Sequence, residues 1–182
     1  MEKTMTSSAA ESRSNVKRLV MTALLAALAC VATLILKVPS PSGGYMNLGD
    51  TVVLLSAYLL GPVYGAAAAG VGSMMADILA AYPVYAPATL VIKAIMAVVA
   101  ALMYRKLKGS ALGVLACGVI GEIPMVVGYW LFDGFLAGSL TGAAVGIPSN
   151  LVQAAFGLIV STVLVLSLRK SGYVRKEFPH VG

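Results

Sequence analysis

Long apolar stretches separated by short polar or proline-rich segments set the pattern of this 182-residue chain. A helix needs about 20 mostly apolar residues to cross a bilayer. Breaks at Gly61-Pro62 and at Tyr82–Pro87 divide the apolar stretches further. Four stretches contain no charged residue: Leu19–Leu36, Thr51–Ala76, Ile78–Ile92 and Gly134–Leu168. The pattern predicts an all-α integral membrane protein, a bundle of six transmembrane helices at about 17–37, 48–60, 63–81, 87–104, 110–133 and 147–168.

The segments outside the predicted helices carry loop and terminus signals. Val38–Asn47 contains two prolines and two glycines, and Phe135–Gly146 is rich in glycine, so both are expected to be loops. Residues 1–16 are rich in serine and charge and are expected to form a disordered tail, with a second tail at 171–182. The predicted helix at 48–60 is only about 20 Å long, which is short for a bilayer.

Basic residues predict the orientation of the bundle. The two tails, the adjoining helix ends and the segment between the fourth and fifth helices hold eleven of the 13 lysines and arginines. These are Lys3, Arg13, Lys17, Arg18, Arg105, Lys106, Lys108, Arg169, Lys170, Arg175 and Lys176. Because cytoplasmic loops carry the excess of Lys and Arg, both termini are expected in the cytoplasm.

Composition supports a membrane protein and excludes several functions. Hydrophobic residues make up 59% of the chain and charged residues 11%, against about 45–50% and 25% in soluble domains. The net charge of +6 comes from short clusters at helix ends, so nucleic-acid binding is not expected. Cys30 and Cys117 lack the spacing of a metal site or a disulfide framework. The only histidine is His180, in the tail, and neither catalytic nor Walker motifs occur, so no cofactor is expected and ATP hydrolysis would need other subunits.

Polar side chains inside the predicted helices are the main functional signal, because ionisable groups are costly in lipid and mark functional sites. Five occur within or near the ends of helices: Asp50, Asp77, Lys93, Glu122 and Asp133. On the predicted topology the polar residues favour the outer halves of the helices, where Asn150 and Gln153 also lie. Polar groups that only hold helices together have no reason to favour one leaflet, so the placement indicates a site open to the outside.

We therefore predict a substrate-binding cavity near the outer membrane face. Tyr45, Tyr82 and Tyr85 lie in outer loops and are placed to close over a flat ring. The predicted binding residues are Asn47, Asp50, Asp77, Tyr85, Thr89, Lys93, Glu122, Tyr129, Asn150 and Gln153. The structural alternative is that Lys93 is neutralised by Glu122 or Asp77 and that the amides bond between helices without a ligand.

Several short motifs together resemble the substrate-binding (S) components of energy-coupling factor (ECF) vitamin transporters. They are Ala23–Leu28, Asn47–Asp50, Leu60–Gly65, Thr89–Lys93, Gly128-Tyr129 and Ile147–Gln153. The resemblance covers nearly the whole chain except the tails and is nearest to the riboflavin and hydroxymethylpyrimidine/pyridoxine branch. It implies a subunit of a bacterial or archaeal cytoplasmic membrane that captures a vitamin beneath loop lids. It also implies association with a membrane coupling subunit and two ATPase subunits, and toppling in the membrane to release the vitamin inside.

A row of small residues in the first helix fits the docking that the resemblance implies. Ala23 and Ala27, with Thr22 and Ala26 beside them, form a surface that lets another helix approach closely. The coupling subunit is therefore expected to dock here. The alternative is that this surface packs against the chain's own bundle.

Charge gives a weak prediction of the substrate class. Asp50, Asp77 and Glu122 against Lys93 give the predicted cavity a charge of −2 if all are ionised. That charge disfavours polyanions and favours a neutral or weakly basic heterocycle, of the hydroxymethylpyrimidine or pyridoxine type first and riboflavin second.

Two other function classes use the same polar residues. One is a membrane enzyme with Asp77 and Glu122 as acid and base, which turnover by the purified protein without ATPase partners would reveal. The other is a small homo-oligomeric channel, which ligand-independent conductance in liposomes would reveal. The absence of a nucleophile, metal or phosphate motif in the sequence argues against the first, and six helices that already enclose a site argue against the second.

Overall fold

The protein is a helical bundle capped at one end by a short β-hairpin. The structure, a computed structural model, describes residues 2–178 and Val181, with side chains from Asn15 onward. His180, which the sequence assigns to a tail, lies outside the described residues. In chain order the elements are α1 (Glu2–Ile35), β1 (Val38–Pro39), β2 (Tyr45–Met46), α2 (Gly49–Leu79), α3 (Ala86–Leu107), α4 (Ala111–Ala137), α5 (Leu140–Ala143), α6 (Ile147–Leu168) and α7 (Gly172–Glu177).

Apolar length makes most of these helices candidates for membrane spans. Over the described residues, five helical stretches are long and apolar enough to cross a bilayer: Asn15–Ile35, Gly49–Leu79, Ala86–Leu107, Ala111–Ala137 and Leu140–Leu168. The last joins α5 to α6 through the 3₁₀ turn Ala144–Gly146. Many large apolar side chains on the outside are half exposed or more, among them Val63, Leu112 and Val163. A surface of this kind suits lipid rather than water.

The long helix α2 is broken at Gly61, where the sequence predicts the boundary between two helices. Gly61 has φ 77° and ψ −172°, a conformation almost confined to glycine, and Pro62 follows it. A Cβ on Gly65 would lie 2.9 Å from the Cα of Ala57. In a straight helix these two residues would be about 12 Å apart along the axis. The chain therefore folds back at Gly61, and its first half, Gly49–Leu60, is buried on all sides.

Replacing Gly61 by alanine tests this break. A side chain at this φ and ψ costs about 1–3 kcal/mol, so Gly61→Ala is expected to lower the free energy of unfolding in detergent by that amount. Gly109→Ala is the matched control, because no described atom lies within 4 Å of a Cβ placed on Gly109. Equal stability of the two variants would mean that the turn tolerates a side chain.

Both predicted tails contain helix. α1 begins at Glu2 and continues without a break through residues 2–16, where the sequence predicts disorder. Residues 2–14 include methionine, alanine, glutamate, lysine and arginine, which favour helix. At the other end α7 occupies 172–177 within the predicted tail at 171–182. Glu177 of α7 forms an ion pair with Lys17, near the middle of α1, so α7 lies against α1.

The predicted loops at the hairpin end are also more ordered than glycine and proline content suggests. Within Val38–Asn47, β1 and β2 pair antiparallel, with Val38 opposite Met46. α4 continues past Asp133 to Ala137 and ends at Gly138, whose φ of 68° is the left-handed conformation common after helices. The loop predicted at Phe135–Gly146 therefore consists of the end of α4, α5 and the 3₁₀ turn.

Small residues hold the helices close together. A Cβ on Gly70 would lie 2.8 Å from the backbone oxygen of Leu90, and one on Gly121 would lie 2.8 Å from the Cβ of Ala100. A Cβ on Gly157 would lie 2.8 Å from the Cβ of Asp50. In lipid, helices associate through such close packing because burial of apolar surface gives little gain. The last of these contacts brings α6 against the start of α2, where polar side chains gather.

Candidate functional site

Polar side chains from the hairpin and from α2, α3, α4 and α6 converge on one small cavity at the hairpin end. Its volume is about 30 Å³. The lining residues are Ser40, Ser42, Gly44, Tyr45, Asn47, Asp77, Tyr85, Thr89, Tyr129, Asp133, Asn150 and Gln153. Seven of the ten residues that the sequence predicts for binding are among them: Asn47, Asp77, Tyr85, Thr89, Tyr129, Asn150 and Gln153.

A buried ion pair lies next to this cavity. Lys93 of α3 pairs with Asp50 in the first turn of α2, and their side chains are 3% and 1% exposed. The side-chain amide of Gln153 donates to the other oxygen of Asp50 at 2.6 Å. Gln153 in turn accepts a hydrogen bond of 2.7 Å from the backbone N–H of Asn47. Gln153 thus links the ion pair to the cavity and to the loop before α2.

The ion pair differs from the one considered in the sequence analysis, where Glu122 or Asp77 neutralises Lys93. Asp50 takes this position because it lies in the first turn of α2, where the helix dipole also favours a negative charge. The close approach of α6 at Gly157 brings Gln153 into reach of the same carboxylate. Lys93 also lies 5.4 Å above the ring centre of Tyr129, a distance at which a cation interacts with an aromatic face.

Tyrosines hold the two carboxylates that line the cavity. The Tyr45 hydroxyl, on the hairpin, donates to Asp77 at 2.7 Å. The Tyr85 hydroxyl, just before α3, donates to Asp133 at 2.9 Å. Between these tyrosines lies Tyr82, whose ring centre is 4.8 Å from that of Tyr45 and 6.2 Å from that of Tyr85. The hairpin is therefore attached to the bundle through one hydroxyl–carboxylate bond and a row of aromatic rings.

Both tyrosines remain donors over the physiological pH range. Burial raises the pKa of the Tyr45 hydroxyl, and the hydrogen bond to Asp77 raises it further. Burial likewise raises the pKa of Tyr85, as does its bond to Asp133. Because the phenols keep their protons, both hydroxyls remain donors between pH 6 and 9, a range well below the unperturbed tyrosine pKa of about 10.

One acceptor in the cavity remains available. The second oxygen of Asp77, Oδ2, is buried and has no hydrogen-bond partner among the described residues. A buried acceptor without a partner costs about 1–3 kcal/mol. A ligand that presents an N–H or O–H group to Asp77 would recover part of that cost.

Glu122 lies apart from the polar cavity, although the sequence predicts it there. Glu122 is 3% exposed and borders a separate groove between α4 and α6. Its Oε1 lies beside Gly157, where the Cβ of Asp50 also comes close. Glu122 shares a helix face with Tyr129, as the spacing indicates, but seven residues correspond to about 10 Å along the axis. Depth in the bundle, and not orientation around the helix, therefore separates Glu122 from the cavity.

Several cavity residues are absent from the predicted set. Ser40, Ser42 and Gly44 come from the hairpin, and Ser40 contacts Ser149 at the start of α6, Oγ to Oγ 2.9 Å. Tyr45 was expected only as part of a closing loop, and Asp133 only as an ionisable residue within or near the end of a helix. The serines carry no signal beyond their place in a loop next to a site, but the spacing of Asp133 from Tyr129 was sufficient to include it.

The predicted docking residues divide between two sides of α1. Ala23 and Ala27 are exposed on the outside of the bundle. Thr22 is buried and donates to the backbone oxygen of Arg18 at 2.8 Å. Ala26 faces α2, where Gly72 leaves no room for a side chain between the two helices. The outward surface of small residues is therefore narrower than the sequence predicts.

Comparison with known proteins assigns the family. A sequence model of the ECF-type riboflavin transporter S component matches residues 13–170. The chain belongs to this family of S components. It is therefore a substrate-binding subunit of a vitamin transporter and not an enzyme, which removes the membrane-enzyme alternative and confirms the resemblance shown by the short motifs.

Three individual proteins are similar to this chain over most of their own length. An uncharacterized protein in the gap 3′ region of Pyrococcus woesei is 38% identical over 141 residues, 77% of this chain and 93% of that protein. The solved S component of a bacterial ECF transporter superposes with a TM-score of 0.70 at 26% identity, over 86% of this chain and 97% of that one. The S component for biotin of an ECF-type ABC transporter shares the fold, with a TM-score of 0.68 at 20% identity, covering 90% and 96%.

Proposed function

We propose that this S component captures a small, neutral or weakly basic heterocycle, of the hydroxymethylpyrimidine or pyridoxine type, in the cavity beneath the β1–β2 hairpin. The observation that carries the proposal is the charge of the lining. Asp77 and Asp133 line the cavity, and no Lys or Arg is among the described lining residues. The nearest lysine, Lys93, is already paired with Asp50. Such a site favours ligands that donate hydrogen bonds and disfavours polyanions.

Riboflavin is the second candidate. The matched family is described as riboflavin transporter S components, and riboflavin combines a flat ring with several hydroxyl donors. The row formed by Tyr45, Tyr82 and Tyr85 is suited to stacking on a ring of either size. Asn47, Asn150 and Gln153 are suited to reading ring nitrogens or hydroxyls.

The site must open before it binds either ligand. A cavity of about 30 Å³ holds about two waters, at roughly 10–15 Å³ each, whereas ligand pockets measure about 300–1,000 Å³. The hairpin is the element that closes it, through the Tyr45–Asp77 and Ser40–Ser149 bonds. We infer that the ligand replaces these bonds with its own donors and that the hairpin then closes over it.

The arrangement in the membrane completes the proposal. The reversal at Gly61 supports six crossings rather than five, with both termini in the cytoplasm of a bacterial or archaeal cell and the hairpin outside. The partners are a membrane coupling subunit and two ATPase subunits, which supply the energy that this chain has no motif to provide. A ligand-independent channel is disfavoured, because the described polar residues lead to a closed cavity.

The ligand can be identified directly. Protein purified from its native host should release its vitamin on denaturation, and mass spectrometry then identifies the molecule. Calorimetric titration with hydroxymethylpyrimidine, pyridoxine, riboflavin and folate ranks the candidates. Tight binding of the polyanion folate, with none of the others, would overturn the proposal.

Hydrogen exchange tests the role of the hairpin as a lid. Amides of residues 38–46 are expected to exchange more slowly when the bound vitamin holds the hairpin closed, while amides in the middle of α3 are expected not to change. The Tyr45→Phe variant, which cannot bond Asp77, is expected to exchange faster than the wild type without ligand. Equal exchange with and without vitamin would contradict a lid.

Asp77→Asn tests the contribution of the lining charge. The variant keeps an acceptor but loses the charge that strengthens a bond to a ligand donor, so affinity is expected to fall by about 1–3 kcal/mol, measured by calorimetry. Thr162→Val is the control, because Thr162 is also buried and without a partner among the described residues but lies in the second half of α6, away from the cavity. An unchanged affinity would place the ligand away from Asp77.

A further inference from the structure

A buried carboxyl group without a partner lies next to the ion pair of Asp50 and Lys93. Glu122 is 3% exposed, and neither of its carboxyl oxygens has a hydrogen-bond partner among the described residues. A Cβ on Gly157 of α6 would lie 3.0 Å from Oε1 of Glu122 and 2.8 Å from the Cβ of Asp50. Because both atoms approach the same point, the two carboxyl groups are close neighbours inside the bundle.

One lysine serves these two carboxyl groups. Asp50 of α2 and Lys93 of α3 are the charged side chains that act on Glu122. Tyr58, further along α2, also interacts with Glu122 and with Cys117 of α4, and the phenol and the thiol are both uncharged at neutral pH. α6, which packs against the same carboxyl groups, contains no titratable side chain. Lys93 is paired with Asp50, so Glu122 has no counter-charge of its own among the described residues.

The balance of charge favours a proton on Glu122. The pair formed by Asp50 and Lys93 is neutral as a unit, and an ionised Glu122 would add an unpaired negative charge to the interior of the bundle. A buried charge without a partner is so costly that the group normally becomes neutral instead. A metal ion is not expected to take this place, because the space beside Gly157 does not admit even a Cβ. A proton needs no such space.

We propose that Glu122 is a proton-binding positioning residue, whose proton leaves Lys93 on Asp50 and whose ionisation at high pH weakens vitamin capture. An ionised Glu122 competes with Asp50 for the single ammonium group. Asp50 also holds the amide of Gln153, which accepts from the backbone N–H of Asn47 and lines the cavity. When Lys93 moves toward Glu122, this link loses its fixed position. Because binding requires the protonated form, the affinity falls as the pH rises. The effect on affinity rests on the proposed vitamin cavity, whereas the proton on Glu122 does not.

Infrared spectroscopy of the ligand-free full chain in phosphatidylcholine nanodiscs tests the proton directly. At neutral pH the wild type is expected to show the carbonyl stretch of a protonated carboxyl group, and Glu122→Gln is expected to remove this band. Asp133→Asn, which changes a carboxyl group of the vitamin cavity, is expected to keep the band. Glu122→Leu is a second neutral variant, and gel filtration checks that each variant folds. If neither neutral variant removes such a band, Glu122 is ionised and the proposal is wrong.

Hydrogen exchange tests the link from Glu122 to the cavity without a vitamin. The amide of Asn47 donates to Gln153, and its protection factor corrects for the faster chemical exchange at high pH. This protection is expected to fall from about pH 6 to about pH 9 in the wild type, because Glu122 loses its proton as the pH rises. In Glu122→Gln it is expected to stay constant. An equal fall in both proteins would overturn the coupling.

Calorimetric titration then measures the effect on capture, with hydroxymethylpyrimidine and riboflavin as probes. Loss of one proton lowers the affinity by up to about tenfold per pH unit, so the wild type is expected to lose about tenfold or more from about pH 6 to about pH 9. Glu122→Gln is expected to change much less. Parallel pH profiles of the two proteins would overturn the positioning role. Affinity that rises with sodium at constant pH, in the wild type alone, would overturn the assignment to a proton. If neither probe binds at any pH, the proposed function fails, while the infrared and exchange results still decide the role of Glu122.

Discussion

Replacing Lys93 by methionine is expected to lower the free energy of unfolding by about 3–5 kcal/mol, the cost of leaving one partner of a buried ion pair without its counter-charge. Asp50 is fully buried, and its other oxygen accepts a hydrogen bond from Gln153. Methionine fills a volume similar to the lysine stem but offers no donor. Unfolding of the purified variant in mixed micelles by sodium dodecyl sulfate measures the loss.

Two variants make this result specific. Lys37→Met removes an exposed lysine two residues after α1 and is expected to leave stability unchanged. The double variant Lys93→Met/Asp50→Asn is expected to recover part of the loss, because the remaining amide carries no charge. If Lys93→Met is as stable as the wild type, the buried pair contributes nothing and the Asp50–Gln153 bond alone holds the start of α2.

The same substitution is expected to affect vitamin binding through Gln153. That side chain joins Asp50 to the backbone of Asn47, and both Asn47 and Gln153 line the cavity. Loss of the lysine frees Asp50 to shift, so the Gln153 amide that lines the cavity loses its fixed position. A weaker affinity with a normal vitamin specificity would show that Lys93 positions the site and does not contact the ligand.

Much of the fold follows from local signals in the sequence. Gly61-Pro62 predicts the break in α2 because only glycine adopts the backbone conformation found there and proline cannot continue the hydrogen bonding. Apolar length predicts the other long helices within a few residues, except for the start of α1, which lies at Glu2 and not near Lys17. The hairpin was not predicted, because its two pairs of residues are too short to show alternation. The extension of α4 was missed for a different reason: Asp133 and Gly134 look like a stop but are buried within the helix.

The sequence predicted most of the residues that line the cavity, but not the ion pair and hydrogen bonds that join them. The one-sided distribution of polar residues is a property of the sequence, and it identified seven of the cavity residues. The residue that pairs with Lys93 cannot be read from the sequence, because the pairing depends on how closely α2, α3 and α6 approach one another. Gly157 permits that approach, yet a glycine in an apolar stretch does not indicate which side chain it meets.

The sequence also does not show how far along a helix a polar side chain lies from the cavity. Tyr129 lines the cavity, whereas Glu122 on the same face lies deeper, where the side of the bundle opens to lipid. Orientation around α1 was similarly ambiguous, because apolar and small residues occur all around it. The structure orients Thr22 and Ala26 inward and Ala23 and Ala27 outward, which leaves two positions for a test of docking.

The double variant Ala23→Leu/Ala27→Leu is expected to abolish ATP-dependent vitamin uptake while leaving vitamin affinity near normal. The two substitutions add bulk on the outer surface of α1, where close helix approach in lipid depends on small side chains. The cavity is built from the hairpin, α2, α3, α4 and α6, so α1 contributes no lining residue among those described. Uptake into proteoliposomes and co-purification with the coupling subunit measure the loss, and calorimetry measures the affinity.

Ala23→Ser/Ala27→Ser is the matched control, because it changes the same positions but keeps them small. Uptake by the serine variant is expected to remain near that of the wild type. If the leucine variant loses vitamin affinity together with assembly, these alanines support the bundle itself, despite their exposure. If its uptake is normal, the coupling subunit docks on another helix. Loss of uptake and co-purification at normal affinity, with the serine variant active, would assign the outer surface of α1 to transport and separate it from the site that binds the vitamin.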